Sequence, residues 1–157
     1  MVSVVMAAHY AERYLIAAVE SILQQTYRDL ELILIDDASI DGTWELLEQL
    51  ARGDHRIRLL RNERNLRQGL SFNRAIPAAR GRYIAIMDHD DICARERIEK
   101  QVAYLVPYAL PGRPFQAENG VVVARRCRRS LVLRGRHLVG HRELRFGPFT
   151  VAFEHAN

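Results

Sequence analysis

The sequence predicts an α/β domain built on a largely parallel sheet. Short apolar runs of strand length alternate with stretches whose apolar residues recur at helical spacing, the order that βαβ units produce. Two of those runs end abruptly in acidic residues, Asp36-Asp37 and Asp88-His89-Asp90-Asp91, so carboxylates stand at strand ends. The chain has 157 residues, 48% of them apolar, enough for one domain with a proper core.

Residues 2–7 are a short apolar run containing three Val and read as a buried strand. From 12 to 25, Leu15, Val19, Ile22 and Leu23 recur as one face of a helix. Residues 30–35 are the second strand. Ser39 and Asp41 are N-cap types for the next helix, where Trp44, Leu47 and Leu50 form an apolar stripe that belongs in the core, and Gly53-Asp54 ends it. Residues 56–60 alternate charged and apolar, as a third strand would. A loop at 65–69 leads into a helix over 70–79, blemished by Pro77 and stopped by Gly81. Residues 83–87 are the fourth strand. The last clear helix, 95–106, sets Ile98, Val102 and Leu105 on one face.

After Pro107 the pattern weakens. Pro107, Pro111, Gly112 and Pro114 form a breaker-rich link, and we place a boundary there, dividing the chain into 1–106 and 107–157. Residues 121–124 and 131–133 are short strand candidates, and the rest is read as irregular. Charge divides at the same point. The first part carries 14 basic and 16 acidic residues, whereas the second carries nine, all Arg, and three. Arg125-Arg126-Cys127-Arg128-Arg129 is the densest point, read as a solvated surface before a dedicated anion-binding patch.

Several classes are disfavoured. No stretch approaches the ~20 apolar residues that crossing a bilayer needs. The N-terminus opens into Val2-Ser3-Val4-Val5-Met6 with no basic region or cleavage site, so no signal peptide is expected and a cytoplasmic location is the default. Cys93 and Cys127 make no Cys-x-x-Cys pair, which argues against a disulfide framework and a zinc site. His137, His141 and His155 are not spaced like zinc ligands and read as surface residues.

In an open parallel sheet, ligands bind beyond the carboxyl ends of the strands. That rule selects Ala7-Ala8-His9-Tyr10, Asp36-Asp37 and Asp88-His89-Asp90-Asp91. Carboxylates converging on one crevice repel unless a cation is present. Mg²⁺ and Mn²⁺ take oxygen ligands, often one or two carboxylates together with substrate phosphates. The constellation suggests a metal-bridged diphosphate. Asp-x-Asp alone is a weak signal, and Asp91 reads better as a cap of the following helix than as a ligand. His89, between two aspartates, reads as a spacer pointing away.

The ordered motifs resemble family 2 glycosyltransferases. Ser21-Ile22-Leu23-Gln24-Gln25-Thr26-Tyr27 is similar to the family's Ser-Ile-Leu-x-Gln-Thr-Tyr helix end. Ile35-Asp36-Asp37-Ala38-Ser39-Ile40-Asp41-Gly42-Thr43 resembles Val-Asp-Asp-Gly-Ser-x-Asp-Gly-Thr. Asn65-Leu66-Arg67-Gln68-Gly69 with Asn73-Arg74-Ala75 is similar to the Asn-x-Gly loop and helix, and Gly81-Arg82-Tyr83-Ile84 with Asp88-His89-Asp90-Asp91 to Gly-x-Tyr-Ile and Asp-x-Asp-Asp. The match covers roughly 2–106, and several motifs in order are far more specific than any one.

The resemblance implies a GT-A fold: a Rossmann-like three-layer sandwich with a mostly parallel central sheet, here incomplete at the C-terminal end. It implies a transferase using a nucleoside diphosphate sugar, a UDP-sugar first, with Mn²⁺ or Mg²⁺ and with inversion at the sugar carbon. By it, Ala7, Ala8 and His9 pack against the base, Asp37 accepts from the base edge, Asp88 lies near the ribose, Arg67 or Arg64 reaches the nucleotide, and Asp90 binds the metal. Three residues depart from the pattern beside these. His9 stands for Tyr, Tyr10 for Asn, and Ala38 for Gly, the last implying a turn that either avoids positive φ or is strained; the family also often has Gly at Arg67.

Inverting transfer needs a general base for the acceptor hydroxyl. In the family that carboxylate follows Asp-x-Asp in the second half of the domain. Here the later part offers only Glu118, Glu143 and Glu154, none in a recognisable context, so no catalytic residue is assigned and the chain reads as truncated or divergent there. The alternative is a nucleotide-sugar-binding fragment without turnover. A phosphatase of the haloacid dehalogenase type, with Asp88 as nucleophile, is disfavoured because its motif follows the first strand and Ile92 stands where it has Thr or Val. The expected partners are the sugar donor and a saccharide, lipid-linked or protein acceptor, with peripheral contact at the inner membrane face and no nucleic acid.

Overall fold

The computed structural model describes residues 1–105, 123–125, 133–138, 141–146 and 149–153, with side chains described through Ala103. The central sheet has the order β3-β2-β1-β4-β5, from strands β1 (Val2–Ala8), β2 (Leu30–Asp36), β3 (Ile57–Arg61), β4 (Tyr83–Asp88) and β5 (Val123–Arg125). The first four are parallel, and β5 pairs antiparallel with β4. Between them run the helices α1 (Leu15–Leu23), α2 (Thr43–Gly53), α3 (Arg67–Ala75) and α4 (Arg97–Leu105). The α/β architecture is the one the alternation predicts.

Every residue of β1 and β2 is buried, as strands covered on both faces must be. Alternation along them feeds two cores. Val2, Val4 and Met6 of β1 pack with Leu15, Val19 and Ile22 of α1, Leu47 of α2 and Ile98 of α4. Val5 and Ala7 face the other way, onto Phe72 and Ala75 of α3. Helices on both faces make three layers. Trp44, expected in the core, packs against it only half-buried, and the Arg61 guanidinium lies 4.8 Å from its ring centroid.

Some local expectations are corrected. Ser39 does not cap α2; its Oγ accepts the Tyr10 N–H at 3.2 Å, while Asp41 Oδ1 accepts the Thr43 N–H at 3.2 Å. The helix read over 70–79 begins earlier, at Arg67, and ends at Ala75, with Pro77 in a 3-10 turn over Ile76–Ala78. Gly81 serves as a close approach rather than a helix stop: a Cβ there would lie 2.5 Å from the Ser3 nitrogen. Residues 133–153, read as mostly irregular, hold an antiparallel sheet of β6 (Leu133–Leu138), β7 (His141–Phe146) and β8 (Phe149–Phe153). Leu144 and Phe146 alternating with Glu143 and Arg145 was the available signal. Glu118, Cys127, Glu154, His155 and the Arg125–Arg129 run beyond its first residue lie outside the described residues.

Candidate functional site

The strand order reverses at β1, with β2 and β3 on one side and β4 on the other. A crevice therefore opens beyond the carboxyl ends of β1 and β4, where sheets of this kind bind ligands. The register aligns those ends: Ala8 lies beside Asp36, and Ala7 beside Asp88. The three segments selected from the sequence meet at this edge. Ala8 O accepts the Asp37 N–H at 2.8 Å, and His89 Nδ1 lies 3.2 Å from Ala7 O. His89, expected to point away, thus ties β4 to the end of β1.

The paired aspartates have different environments. Asp36 is fully buried; its Oδ1 accepts the Ser39 N–H at 3.1 Å, and Arg61 Nε sits 3.1 Å from Oδ2 as an ion pair. Its work is to hold the turn. Asp37 is 3% exposed, and its Oδ1 accepts two donors, Asn62 Nδ2 at 2.6 Å and the Leu66 N–H at 2.8 Å. Among the described residues, no donor is found on Oδ2.

The segment running from β3 into the first turn of α3 clasps both acidic strand ends. Leu66 donates to Asp37, and Gln68 Nε2 donates to Asp88 Oδ1. Arg67 lies between them with an exposed side chain, and Arg64 is exposed as well. The Arg67 N–H donates to Asn65 Oδ1 at 2.8 Å, and Asn65 Nδ2 lies 2.8 Å from His9 Nε2. His9 is half-buried, its ring centroid 4.2 Å from that of exposed Tyr10. The loops carrying His9, Asp37, Arg67 and Asp88 thus form one continuous hydrogen-bonded rim.

The end of β4 concentrates charge. Burial pushes the Asp88 carboxyl up from its ordinary value, and the neighbouring Asp91 and Asp90 push it further. Arg97, which the sequence reading did not single out, stands near Asp88 and Asp91, and its Nη2 donates to Ile86 O at 3.2 Å. Asp90 and Asp91 are exposed. Asp91 does not cap α4, which begins six residues later at Arg97. Hard carboxylate oxygens in a crowded acidic turn suit a divalent cation. Among the described residues, however, no three His, Cys, Asp or Glu side chains are gathered to hold a metal alone. Such a set fits an ion that completes its shell with water and phosphate oxygens.

Gln25, two residues past the end of α1, fastens the segment between this acidic turn and α4. Fully buried, it donates from Nε2 to Ser21 O at 3.0 Å and Ala94 O at 2.8 Å, and its Oε1 accepts the Ile98 N–H at 3.0 Å. The Thr26 N–H donates to Arg95 O at 2.9 Å. The segment from Asp91 to α4 is therefore fastened to the end of α1. The sequence signal was the polar Gln25-Thr26 pair closing an apolar helix, which has no meaning until its partners some 70 residues away are known.

The model of Glycosyl transferase family 2 matches residues 3–144. Putative glycosyltransferase EpsE of Bacillus subtilis is 47% identical over 105 residues, covering 66% of this chain and 38% of EpsE. The Escherichia coli UDP-Glc:alpha-D-GlcNAc-diphosphoundecaprenol beta-1,3-glucosyltransferase WfaP is 35% identical over 105 residues, covering 67% of this chain and 41% of WfaP. Among solved structures, the mannosyltransferase PcManGT from Pyrobaculum calidifontis superposes with a TM-score of 0.67 at 23% identity, over 75% of this chain and 35% of that one. The match thus spans about two fifths of the curated relatives' length. With the motifs, the mostly parallel sheet and the family match in agreement, this chain belongs to glycosyl transferase family 2 and has its GT-A fold.

Proposed function

We propose that residues 1–106 form the donor-binding half of an inverting, metal-dependent glycosyltransferase, and that 107–157 belong to the remainder of its catalytic domain. The donor is a nucleoside diphosphate sugar, a UDP-sugar first, and the acceptor a saccharide, lipid-linked or protein hydroxyl. The observation that carries the reading is the convergence of Ala7, Ala8, His9, Asp37 and Asp88 on one crevice where the strand order reverses. In this reading Ala7, Ala8 and His9 pack against the base. Asp37 accepts from a base N–H through the oxygen that Asn62 and Leu66 leave free. Asp88 accepts from the ribose, exchanging the Gln68 amide for a sugar hydroxyl. Arg67, exposed between the two, reaches the phosphates.

Asp90 is the residue that would hold the cation. A bound Mn²⁺ or Mg²⁺ would orient the diphosphate and offset the charge developing on it as it leaves. The name of WfaP supports uridine and a lipid-linked acceptor, and the GDP-Man and Mn²⁺ of the PcManGT complex support the cation. A lipid-linked acceptor puts the reaction at the cytoplasmic membrane face. No helix among the described residues is long and apolar enough to cross a membrane.

Calorimetric titration of UDP, GDP and dTDP, with Mn²⁺ and with EDTA, tests the reading on wild type and Asp90→Ala. Metal-dependent binding of one nucleotide that is lost in Asp90→Ala is the expected result. Binding of none of the three overturns it. Sugar transfer measured against donor hydrolysis then separates a working transferase from a binding fragment.

A further inference from the structure

Asn62, the residue directly after β3, is 2% exposed and has every polar group of its side chain engaged. Its Nδ2 donates to Asp37 Oδ1 at 2.6 Å and to Ser71 Oγ at 2.9 Å, and its Oδ1 accepts from Arg74 Nη1 at 2.7 Å. Its backbone N–H donates to Asp36 O at 2.8 Å, extending the β2–β3 ladder beyond the last strand residue. Ser71 and Arg74 are three residues apart on α3, hence on one face of that helix.

These partners fix which way the amide points. An arginine only donates, so it must face the amide oxygen; an ionised carboxylate only accepts, so it must face the amide nitrogen. Arg74 at one end and Asp37 at the other thus select one of the two amide orientations. Asn62 and the Leu66 N–H then load both donors onto Oδ1, which orients the carboxylate plane and leaves Oδ2 without a donor among the described residues.

We propose that Asn62, locked by Arg74, is a positioning residue that aims Asp37 Oδ2 at the N–H on the edge of the donor's base, and so sets base selectivity. The inference rests on the reading of Asp37 above. A purely structural role, tying α3 to the end of β3, is the competing account, and selectivity is the readout it would not move.

The experiment uses the full chain and whichever of UDP, GDP and dTDP it binds tightest, beside the analogue methylated at the base N–H. Methylation is expected to weaken wild type roughly 10- to 100-fold, the range for a hydrogen bond to a charged acceptor. In Asn62→Ala that ratio should fall about fivefold or more, and in Arg74→Leu, a change at an exposed residue, about threefold, while Arg74→Lys retains it. Denaturant midpoints establish that each variant is folded. A ratio unchanged in folded Asn62→Ala and Arg74→Leu but abolished in Asp37→Ala overturns this inference and leaves the reading of Asp37 intact. A ratio that survives Asp37→Ala, or no nucleotide bound at all, overturns both.

Discussion

The side-chain oxygen of Gln25 accepts the backbone N–H of Ile98 at 3.0 Å, so a residue just past the end of α1 supplies a hydrogen bond that the first turn of α4 cannot make for itself. The same side chain holds Ala94 O, four residues earlier. The segment that leads from the acidic turn of β4 into α4 is therefore fastened by Gln25, a residue just past the end of α1.

Replacing Gln25 by Ala leaves the Ile98 N–H and Ala94 O without these partners and opens a cavity. We expect a loss of about 2–4 kcal/mol, read as a lower urea midpoint at unchanged slope. Gln25→Glu should fare no better: it keeps an acceptor for Ile98 but loses both donors and buries a charge. Near-wild-type stability in either variant would show that the junction is held by other contacts.

Three departures from the family pattern share one physical property. Tyr10, Ala38 and Arg67 are the non-glycine residues with positive φ among the described residues, at 52°, 59° and 64°. Of the two outcomes that Ala38 allowed, the turn is the strained one. The left-handed region suits Asn and Gly, the residues the family has there. Ala38→Gly and Tyr10→Asn should each raise stability by about 0.5–1 kcal/mol after allowing for the freer unfolded chain of glycine. Arg67→Gly should stabilise similarly while weakening nucleotide binding, because it removes a cation from the crevice. Thermal denaturation with and without nucleotide separates the two effects, and a drop in stability for Ala38→Gly would contradict the strain.

How far the sequence spoke depended on the range of each interaction. The apolar runs of β1, β2 and β4 announced themselves because burial on both faces leaves a local trace, and strand ends at Asp36 and Asp88 followed. What stayed hidden was pairing between distant side chains. Nothing adjacent to Asn62 says that it will meet Asp37, and Asp91 looked like a cap because the start of α4 is set by Gln25, far away in the chain. Ser39 is a good cap by type, but its hydroxyl is taken by Tyr10 from another loop. The strands β6 to β8 were missed for a different reason: they follow a stretch crowded with Pro, Gly and Arg, and the alternation of Glu143-Leu144-Arg145-Phe146 spans only four residues.

The two donors on Asp37 Oδ1 make the isosteric change Asp37→Asn informative. Asn62 Nδ2 and the Leu66 N–H both demand an acceptor, so the new amide must turn its oxygen to them and its NH₂ to the crevice. If the base is uracil, its N3–H then meets a donor, while cytosine presents an N3 acceptor. Affinity for UDP should fall by about tenfold or more, and CDP should be weakened less or gain. Calorimetry with both nucleotides checks this, and equal losses for UDP and CDP would count against Asp37 reading the base.

At the opposite edge of the sheet, Glu31 governs the acid limb of stability. Burial by itself would raise its carboxyl, but the Ser3 hydroxyl at 2.5 Å, the Arg80 N–H at 2.6 Å and Arg58 at 3.2 Å outweigh it and hold the group below its ordinary value. A carboxyl whose folded value is depressed stabilises the fold fully above its unfolded pKa, about 4.3, and loses that contribution as pH falls through the folded value. Glu31→Gln keeps the shape but removes the charge that these donors face. Its urea midpoint should lie well below wild type at pH 7, and the gap should narrow as pH drops below about 4. A gap that stays constant from pH 7 to pH 3.5 would mean that the loss is one of packing and hydrogen-bond geometry, with the Glu31 charge contributing nothing to the acid dependence.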